Sequence, residues 1–263
     1  MKLGITLPQG CDREYLGLDA RRAWDRTVDV ARTAEALGFE SVWVYDHFQV
    51  DPPLIEAPIF EPFVELSALA MATSRVRLGH LVMAAAYRNA ALTAKMISTL
   101  DVVSGGRAEL GIGAGWKEDE WLAYGYGFPD TAERLAILAD HLEIISRMLA
   151  PGRATWDGRH ASVHDAIHEP KGLQDPRLPI LIGGNGPKVT WRSGRPVRGR
   201  AEPRRAHARR GSARATGDRR TLHGDRPRTG VAARVGPCLG SARRGGSGSR
   251  AARASCAITR RLA

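Results

Sequence analysis

The sequence predicts an α/β fold in which βα units surround a parallel sheet. Two observations support this prediction. Short β-rich runs alternate with longer amphipathic stretches through the first 191 residues, which is the pattern of repeated βα units. The run SVWVY at residues 41–45 is also almost continuously apolar, as strands buried on both faces of a parallel sheet are.

The pattern places five strands and four main helices in this part. Residues 24–37 are a typical helix, because Val28, Ala31 and Ala34 recur near helical spacing and Gly38 follows as a C-cap. The predicted strands are residues 2–8, 41–45, 76–83, 108–113 and 179–182, and the other helices are residues 63–73, 90–103 and 131–149. Residues 154–179 break the alternation and predict a surface hairpin, with a turn at 156–158 and a short strand near 160–164.

The length of this part fits five βα units rather than eight. A complete (β/α)8 TIM barrel needs roughly 250 residues, and five units occupy about 190. The chain has 263 residues, but its last 72 show no strand or helix periodicity. We therefore expect an incomplete barrel over residues 1–192 and a disordered, Arg-rich tail over residues 193–263.

The net charge of +11 comes from the tail alone. Residues 192–263 hold 20 Arg, no Lys and three acidic residues, whereas residues 1–191 carry a net charge of −6. The tail could attract phosphates without sequence specificity, but it has no aromatic residue on which bases could stack, so specific nucleic-acid binding is not expected.

Other features narrow the class of protein. The cysteines at positions 11, 238 and 256 lack the paired spacing of a disulfide framework or zinc site. No stretch approaches the roughly 18 apolar residues of a membrane span, and the N-terminus lacks the apolar core of a secretory signal. We expect a cytoplasmic protein without metal or membrane contact.

The candidate catalytic and binding residues lie just after the predicted strands, because a parallel barrel places its reactive groups at the C-terminal ends of its strands. Asp46 and His47 follow the second predicted strand; His47 can exchange a proton near neutral pH, and Asp46 could fix its tautomer. The alternative is that both residues only start a loop. Tyr87, Arg88 and Asn89 follow the third strand.

Glycines also mark the ends of the fourth and fifth predicted strands. Gly111, Gly113 and Gly115 alternate along the fourth strand and would let a flat cofactor approach the backbone, or they only mark a bend. Trp116 could stack on a ring or plug the core, and residues 118–120 are interpreted as a solvated helix start. The run GGNGPK at residues 183–188 offers unhindered N–H groups to a phosphate or a polar ring edge.

Three segments together resemble the luciferase-like superfamily of flavin-type oxidoreductases, and most closely its branch that uses the deazaflavin coenzyme F420. They are LGFESVWVYDHF, RVRLGHLVMAAAYRNAALTAKMISTLDVVSGGRAELGIGAGWKEDEW and PILIGGNGPKVTWR. The resemblance implies a luciferase-like (β/α)8 TIM barrel with the cofactor at its C-terminal mouth. By match, the cofactor site falls on Asp46, His47, Gly113, Ala114, Gly115, Trp116, Gly183, Gly184, Asn185, Gly186 and Pro187.

The implied reaction is hydride transfer between the deazaflavin and a small organic substrate, with His47 as the catalytic proton donor or acceptor. The alternative within the superfamily is a monooxygenase that uses FMN and oxygen. The resemblance also implies a homodimer in intact relatives.

The resemblance stops after Trp191 and Arg192, where the Arg-rich composition begins. A shift of reading frame in a GC-rich gene explains this change, because a permitted choice of codons lets the next frame over residues 193–211 spell RAVRYADELNLDALTPDE. Without the last three βα units the sheet cannot close. We therefore expect an unstable, aggregating or partner-dependent product whose activity is weak or absent.

Overall fold

A computed structural model describes residues 2–50, 55–175 and 177–184. Within these residues the helices are α1 (Ala20–Ala36), α2 (Pro62–Ala72), α3 (Ala90–Val103), α4 (Glu118–Ala123) and α5 (Thr131–Leu149). The strands are β1 (Gly4–Thr6), β2 (Ser41–Val44), β3 (Arg77–His80), β4 (Met83–Ala84), β5 (Ala108–Gly113), β6 (Ala154–Asp157), β7 (Ser162–Ala166) and β8 (Ile180–Ile182).

Six of these strands form one parallel sheet, as predicted. β1 pairs with β2, β2 with β3, and β3 with β5. β4 pairs with the later part of β5, and β8 pairs with β5 as well. The strands thus follow one another in chain order with helices between them, which is the arrangement of successive βα units in a barrel. The predicted tail at residues 193–263 lies outside the described residues.

The predicted strand at residues 76–83 is interrupted. β3 ends at His80, β4 begins at Met83, and the intervening Leu81–Val82 peptide bond is cis. The side chain of Val82 packs against β5, where Gly111 has no side chain and so leaves space for it. A Cβ atom on Gly111 would lie 3.0 Å from Val82 Cγ1. The interruption therefore brings an apolar side chain onto the inner face of the sheet.

The apolar core lies between the sheet and its helices. Alternate residues of the strands pack against α2, α3 and α5, and burying each such aliphatic side chain contributes about 1.5–3 kcal/mol. These buried strand residues are Val42, Val44, Leu78, Leu110 and Ile112. The opposite face carries Trp43, whose ring occupies the space left open by Gly79. This alternation fixes which strand-end residues point away from the helices.

The helices begin where the sequence supplies an oxygen for the free N–H groups of the first turn. Asp19 accepts from Arg22 N–H, Asn89 from the N–H groups of Ala91 and Leu92, and Asp130 from Glu133 N–H. Helix α1 ends before Gly38, whose φ of +83° favours glycine. These local signals explain why the predicted bounds of α3 and α5 are confirmed.

The predicted hairpin is confirmed as the antiparallel pair β6–β7, but its turn comes later than predicted, because Trp156 and Asp157 belong to β6. It packs on α5 through Trp156, whose Nε1 donates to Asp140 Oδ1 at 3.2 Å. The guanidinium of Arg147 lies 4.8 Å from the centre of the Trp156 ring. The hairpin is therefore an addition attached to one helix rather than a member of the main sheet.

His80 makes the stability of the fold pH-dependent. The ring is fully buried against Phe63, neither ring nitrogen has a hydrogen-bond partner among the described residues, and burial lowers its pKa to about 3. Below pH 6.5 the unfolded chain therefore binds a proton that the folded chain excludes. We expect the free energy of unfolding to fall by roughly 2 kcal/mol between about pH 7.5 and pH 5.

Urea unfolding at both pH values tests this expectation. His80→Leu should retain more of its stability at the lower pH, whereas the exposed His164→Gln should behave like the unchanged chain. Some pH dependence will remain in His80→Leu, because His168 is also buried, and burial together with Lys95 and Lys171 lowers its pKa to about 4. An equal slope in the His80→Leu variant and the unchanged chain would contradict the assignment.

Candidate active site

His47 lies just beyond the end of β2 and is held by Glu120 of helix α4. Its Nδ1 lies 3.0 Å from Glu120 Oε2, and its side chain is 19% exposed. The two residues are 73 positions apart in the sequence, so only the fold brings them together. His47 is therefore an accessible imidazole with one nitrogen bound to a buried carboxylate.

The carboxylate of Glu120 faces hydrogen-bond donors. Phe48 N–H donates to Oε1 at 2.7 Å and Gln49 N–H donates to the same oxygen at 3.2 Å. The hydroxyl of Tyr87 donates to Oε2 at 2.9 Å. Because an ionised carboxylate only accepts, this network assigns the hydrogen of neutral His47 to Nδ1 and leaves Nε2 as the basic atom.

Glu120 is charged although it is buried. Burial raises its pKa, but the contact with His47, the Phe48 N–H group and the Tyr87 hydroxyl outweigh burial, so the pKa of Glu120 lies below its usual value. Burial and the adjacent Glu120 charge raise the pKa of Tyr87, so this phenol remains a donor. The arrangement resembles a carboxylate that orients a histidine and stabilises its protonated form.

Asp46 does not orient His47, so that expectation is wrong. Its carboxylate is completely buried and accepts two hydrogen bonds from Arg88, each 2.8 Å long, and one of 2.9 Å from Ala84 N–H. Arg88 also donates to Glu61 at 2.7 Å. Asp46 thus ties the end of β2 to the chain after β4, and its assignment to a cofactor site stays a prediction.

Trp116 is exposed at the rim of the site. Its side chain has 67% of its surface exposed, so the interpretation of a buried plug is wrong. The indole lies with its ring centre 5.7 Å from that of His47, at 79° to it. The buried aromatic residue is Trp121, and a Cβ atom on Gly115 would approach its ring to 2.5 Å. Trp116 is therefore free to contact a molecule beside His47.

The glycines after β5 and β8 lie around Val82. A Cβ atom on Gly113 would lie 2.9 Å from Val82 Cγ2, and one on Gly183 would lie 2.5 Å from the same atom. Gly113 and Gly183 thus make room for this valine, and Ala114 packs against the main core. Gly184 has a φ of +154°, which favours glycine. The predicted site residues Asn185, Gly186 and Pro187 lie outside the described residues.

Gly183→Ala should destabilise the protein because the new methyl group collides with Val82. We expect a loss of about 1–3 kcal/mol in the free energy of unfolding, as other overpacked cores show. In Gly183→Ala combined with Val82→Ala, the colliding methyl groups are absent, and the Gly183→Ala substitution should then cost less than in the unchanged background. Equal costs in both backgrounds, measured by urea unfolding, would contradict this packing.

Three residues of this site have roles that the sequence did not predict: Glu120, Tyr87 and Arg88. Residues 118–120 were expected to be solvated, which is right for Glu118 and Asp119 and wrong for Glu120. One signal was available: Glu120 lies next to Trp121, and Lys117 lies one helical turn earlier, and all three side chains are buried. Arg88 gave no signal, since its carboxylate partners lie 27 and 42 residues away.

Two features that are absent from the described part bear on function. Its side chains form no group of three or more His, Cys, Asp and Glu that could bind a metal ion. No helix in residues 2–50, 55–175 and 177–184 combines the length and apolar character needed to cross a bilayer.

The chain is similar to known proteins over most of the described part. The profile of the family "Luciferase-like monooxygenase" matches residues 1–235. An F420-dependent glucose-6-phosphate dehydrogenase of Kineococcus radiotolerans is 37% identical over 175 residues, which cover 65% of this chain and 50% of that one. The chain thus spans about half the length of this relative.

Solved structures show the same fold. The monooxygenase RslO1 of Streptomyces bottropensis aligns with a TM-score of 0.59 and 25% identity, over 70% of this chain and 53% of that one. An F420-dependent secondary alcohol dehydrogenase in complex with an F420–acetone adduct aligns with a TM-score of 0.60 and 24% identity, over 74% and 56% of the two chains. From the match over residues 1–235, this chain belongs to the luciferase-like monooxygenase family.

Proposed function

We propose that this chain binds coenzyme F420 and takes part in hydride transfer between that coenzyme and a small organic substrate. The observation that carries the proposal is the buried Glu120 that holds His47 at the C-terminal edge of the sheet. The relative from Kineococcus radiotolerans, named as F420-dependent, supports the choice of coenzyme.

The residues present fit a flat, polar ring. His47 Nε2 makes no hydrogen bond within the described residues and is the atom that could face the ring or the substrate. Trp116 supplies an exposed aromatic surface beside it, and the exposed Gly184 has no side chain to block a close approach. These residues, with the predicted Asn185, Gly186 and Pro187, would hold the coenzyme.

The coenzyme, when bound, supplies a carbon that takes up or releases hydride, and it does not activate oxygen. His47 Nε2 takes the proton of a substrate hydroxyl or returns it to a carbonyl oxygen. Glu120 stays ionised and stabilises the imidazolium that this transfer creates. Trp116 covers the rim and limits the entry of water.

A carbon that bears a hydroxyl group is the proposed reacting centre. The named activities of the two F420-dependent relatives, a glucose-6-phosphate dehydrogenase and a secondary alcohol dehydrogenase, both concern such a carbon. A base next to the reacting carbon is what the oxidation of a hydroxyl requires, and His47 supplies it.

An FMN-dependent monooxygenase is the second candidate. The likeness to the monooxygenase RslO1 and the family description favour it. Oxygen dependence separates the two reactions, because a monooxygenase consumes oxygen and deazaflavin hydride transfer does not.

We also propose that residues 193–263 are read out of frame. The proposal rests on composition, since residues 192–263 contain 20 Arg and no aromatic residue. The family profile extends to residue 235, past the proposed boundary. Sequencing the gene around codon 192 tests the proposal, and a single intact frame shared with relatives would contradict it.

Absorbance of oxidised F420 under anaerobic conditions tests the proposed reaction. Protein with residues 193–263 as given, and protein with the frame restored, are each mixed with F420 and with glucose 6-phosphate or a secondary alcohol. We expect the restored protein to reduce F420 and His47→Ala to lose about 100-fold or more of that rate. Full turnover by His47→Ala would contradict the role of His47.

A further inference from the structure

Gln9 lies outside the set of residues assigned so far and is completely buried. Its side chain binds the backbone of Tyr45 on both sides: Tyr45 N–H donates to Gln9 Oε1 at 2.7 Å, and Gln9 Nε2 donates to Tyr45 C=O at 2.9 Å. The N–H donor of Tyr45 fixes which end of the amide is oxygen. Gln9 therefore satisfies the main-chain groups of Tyr45 as a neighbouring strand would.

Main-chain pairing between the first strand and β2 stops short of Tyr45. The last main-chain hydrogen bond between these two segments in the described residues runs from Leu7 N–H to Trp43 C=O, at 2.9 Å. The next residue, Pro8, faces the other side, where its C=O accepts from the hydroxyl of Thr27 at 3.2 Å. The side chain of Gln9 thus extends the pairing of β2 by one more residue after the main chain of β1 has turned away.

The extension ends directly before the site. Tyr45 precedes Asp46 and lies two residues before His47. Gln9 Nε2 also lies 3.3 Å from Phe60 C=O, in the segment that leads to α2. One amide therefore joins the loop after β1, the end of β2 and the start of α2.

We propose that Gln9 is a positioning residue that holds Tyr45 so that His47 reaches Glu120. The hydrogen bond of 3.0 Å between His47 and Glu120 requires a fixed backbone at the end of β2. Without the amide, the N–H and C=O groups of Tyr45 lose the hydrogen bonds that Gln9 makes to them, and the segment must move to find other partners. The effect on turnover rests on the proposed function, whereas the effect on the His47 hydrogen bond does not.

The acidic residues around Gln9 allow its role to be tested with a carboxyl group at position 9. Glu65 of α2 is buried, and burial raises its pKa well above the usual value. The Gln9 side chain opposes that shift, and Glu61 and Glu14 add to it. A carboxyl group at position 9 would meet the same burial and the same acidic neighbours, so its pKa should also be raised.

Gln9→Glu should therefore act as a switch. When protonated, glutamic acid has the same donor and acceptor as glutamine; when ionised, it cannot donate to Tyr45 C=O. We expect this variant to match the unchanged chain near about pH 6.5 and to behave like Gln9→Leu near about pH 9. Glu65→Gln is the matched control and should match the unchanged chain at both pH values.

Two readouts are measured on the full chain. Histidine-selective ¹⁵N NMR of the protein without coenzyme reports which nitrogen of His47 carries hydrogen, with His47→Gln identifying the signal. At about pH 9 we expect Nδ1–H in the unchanged chain and in Glu65→Gln, and a shift towards Nε2–H in Gln9→Leu and Gln9→Glu. Turnover of F420 should fall about 10- to 100-fold in kcat for Gln9→Leu with KM little changed.

The outcomes separate the two proposals. If folded Gln9→Leu keeps the Nδ1–H form, or if Gln9→Glu shows the same tautomer at both pH values, the positioning role is overturned. Should Gln9→Leu fail to fold, Gln9→Glu still decides, because it is prepared near about pH 6.5 and then moved to higher pH. If the tautomer changes as expected while the protein with the frame restored has no turnover with F420, the proposed function fails and the positioning role stands.

Discussion

Replacing Arg88 with methionine is expected to lower the free energy of unfolding by about 3–5 kcal/mol. Arg88 is 10% exposed and donates two hydrogen bonds of 2.8 Å to the fully buried carboxylate of Asp46. Its guanidinium also lies 5.3 Å from the centre of the Phe63 ring. Methionine keeps much of the volume but leaves a carboxylate enclosed without a counter-charge, which is the costly state.

Urea unfolding of matched variants isolates this effect. Arg21→Met removes an exposed ion pair of 2.9 Å with Asp25 and should change stability by less than about 0.5 kcal/mol. Adding Asp46→Asn to Arg88→Met should recover much of the loss, because it removes the unpaired charge. A loss for Arg88→Met no larger than that for Arg21→Met would contradict the buried pair.

Glu120→Gln is expected to lower turnover with F420 by roughly 100-fold. The oxygens of Glu120 accept from Tyr87, from the backbone after His47 and from His47 itself. Glutamine has one oxygen and one NH2 group, so one of these sides must face a second donor. If the NH2 group faces His47, Nδ1 must accept and the hydrogen moves to Nε2, which removes the basic atom from the site.

The control for this prediction is the exposed neighbour Glu118, because Glu118→Gln removes the same charge from the same helix. We expect Glu118→Gln to keep its turnover. The pH profile of turnover separates a chemical role from a structural one. The profile of Glu120→Gln should be displaced from that of the unchanged chain, because the hydrogen of His47 has moved to the other ring nitrogen. Equal rates and equal profiles in all three proteins would contradict the role of Glu120.

The regular elements were predictable because their signals are local. The bounds of Ala90–Val103, Ala108–Gly113 and Thr131–Leu149 agree with the sequence-based prediction, since periodicity and the capping oxygens of Asn89 and Asp130 lie within or next to each element. The division of the third predicted strand was not predictable, because it depends on the space that glycines of β5 and β8 leave for Val82.

The candidate site was predictable only in part. The position of His47 follows from the rule that strand ends carry the chemistry. The identity of the carboxylate that binds His47 could not be predicted from this rule. Asp46 is adjacent in sequence but is bound by Arg88. The observed partner, Glu120, lies in a short helix within a run of acidic residues. Which acidic residue in such a run is buried depends on contacts made 70 residues away, and those contacts exist only in the folded chain.

Titration of F420 fluorescence with the protein, over a series of salt concentrations, tests whether the chain binds this coenzyme beside His47. The 20 arginines of residues 192–263 attract any anionic molecule, and that attraction weakens as salt rises. We predict saturable binding that persists at high salt, is stronger for F420 than for FMN, and is weakened in His47→Ala. Binding that disappears at high salt and is unchanged in His47→Ala, with the frame after codon 192 as given and with it restored, would contradict the account.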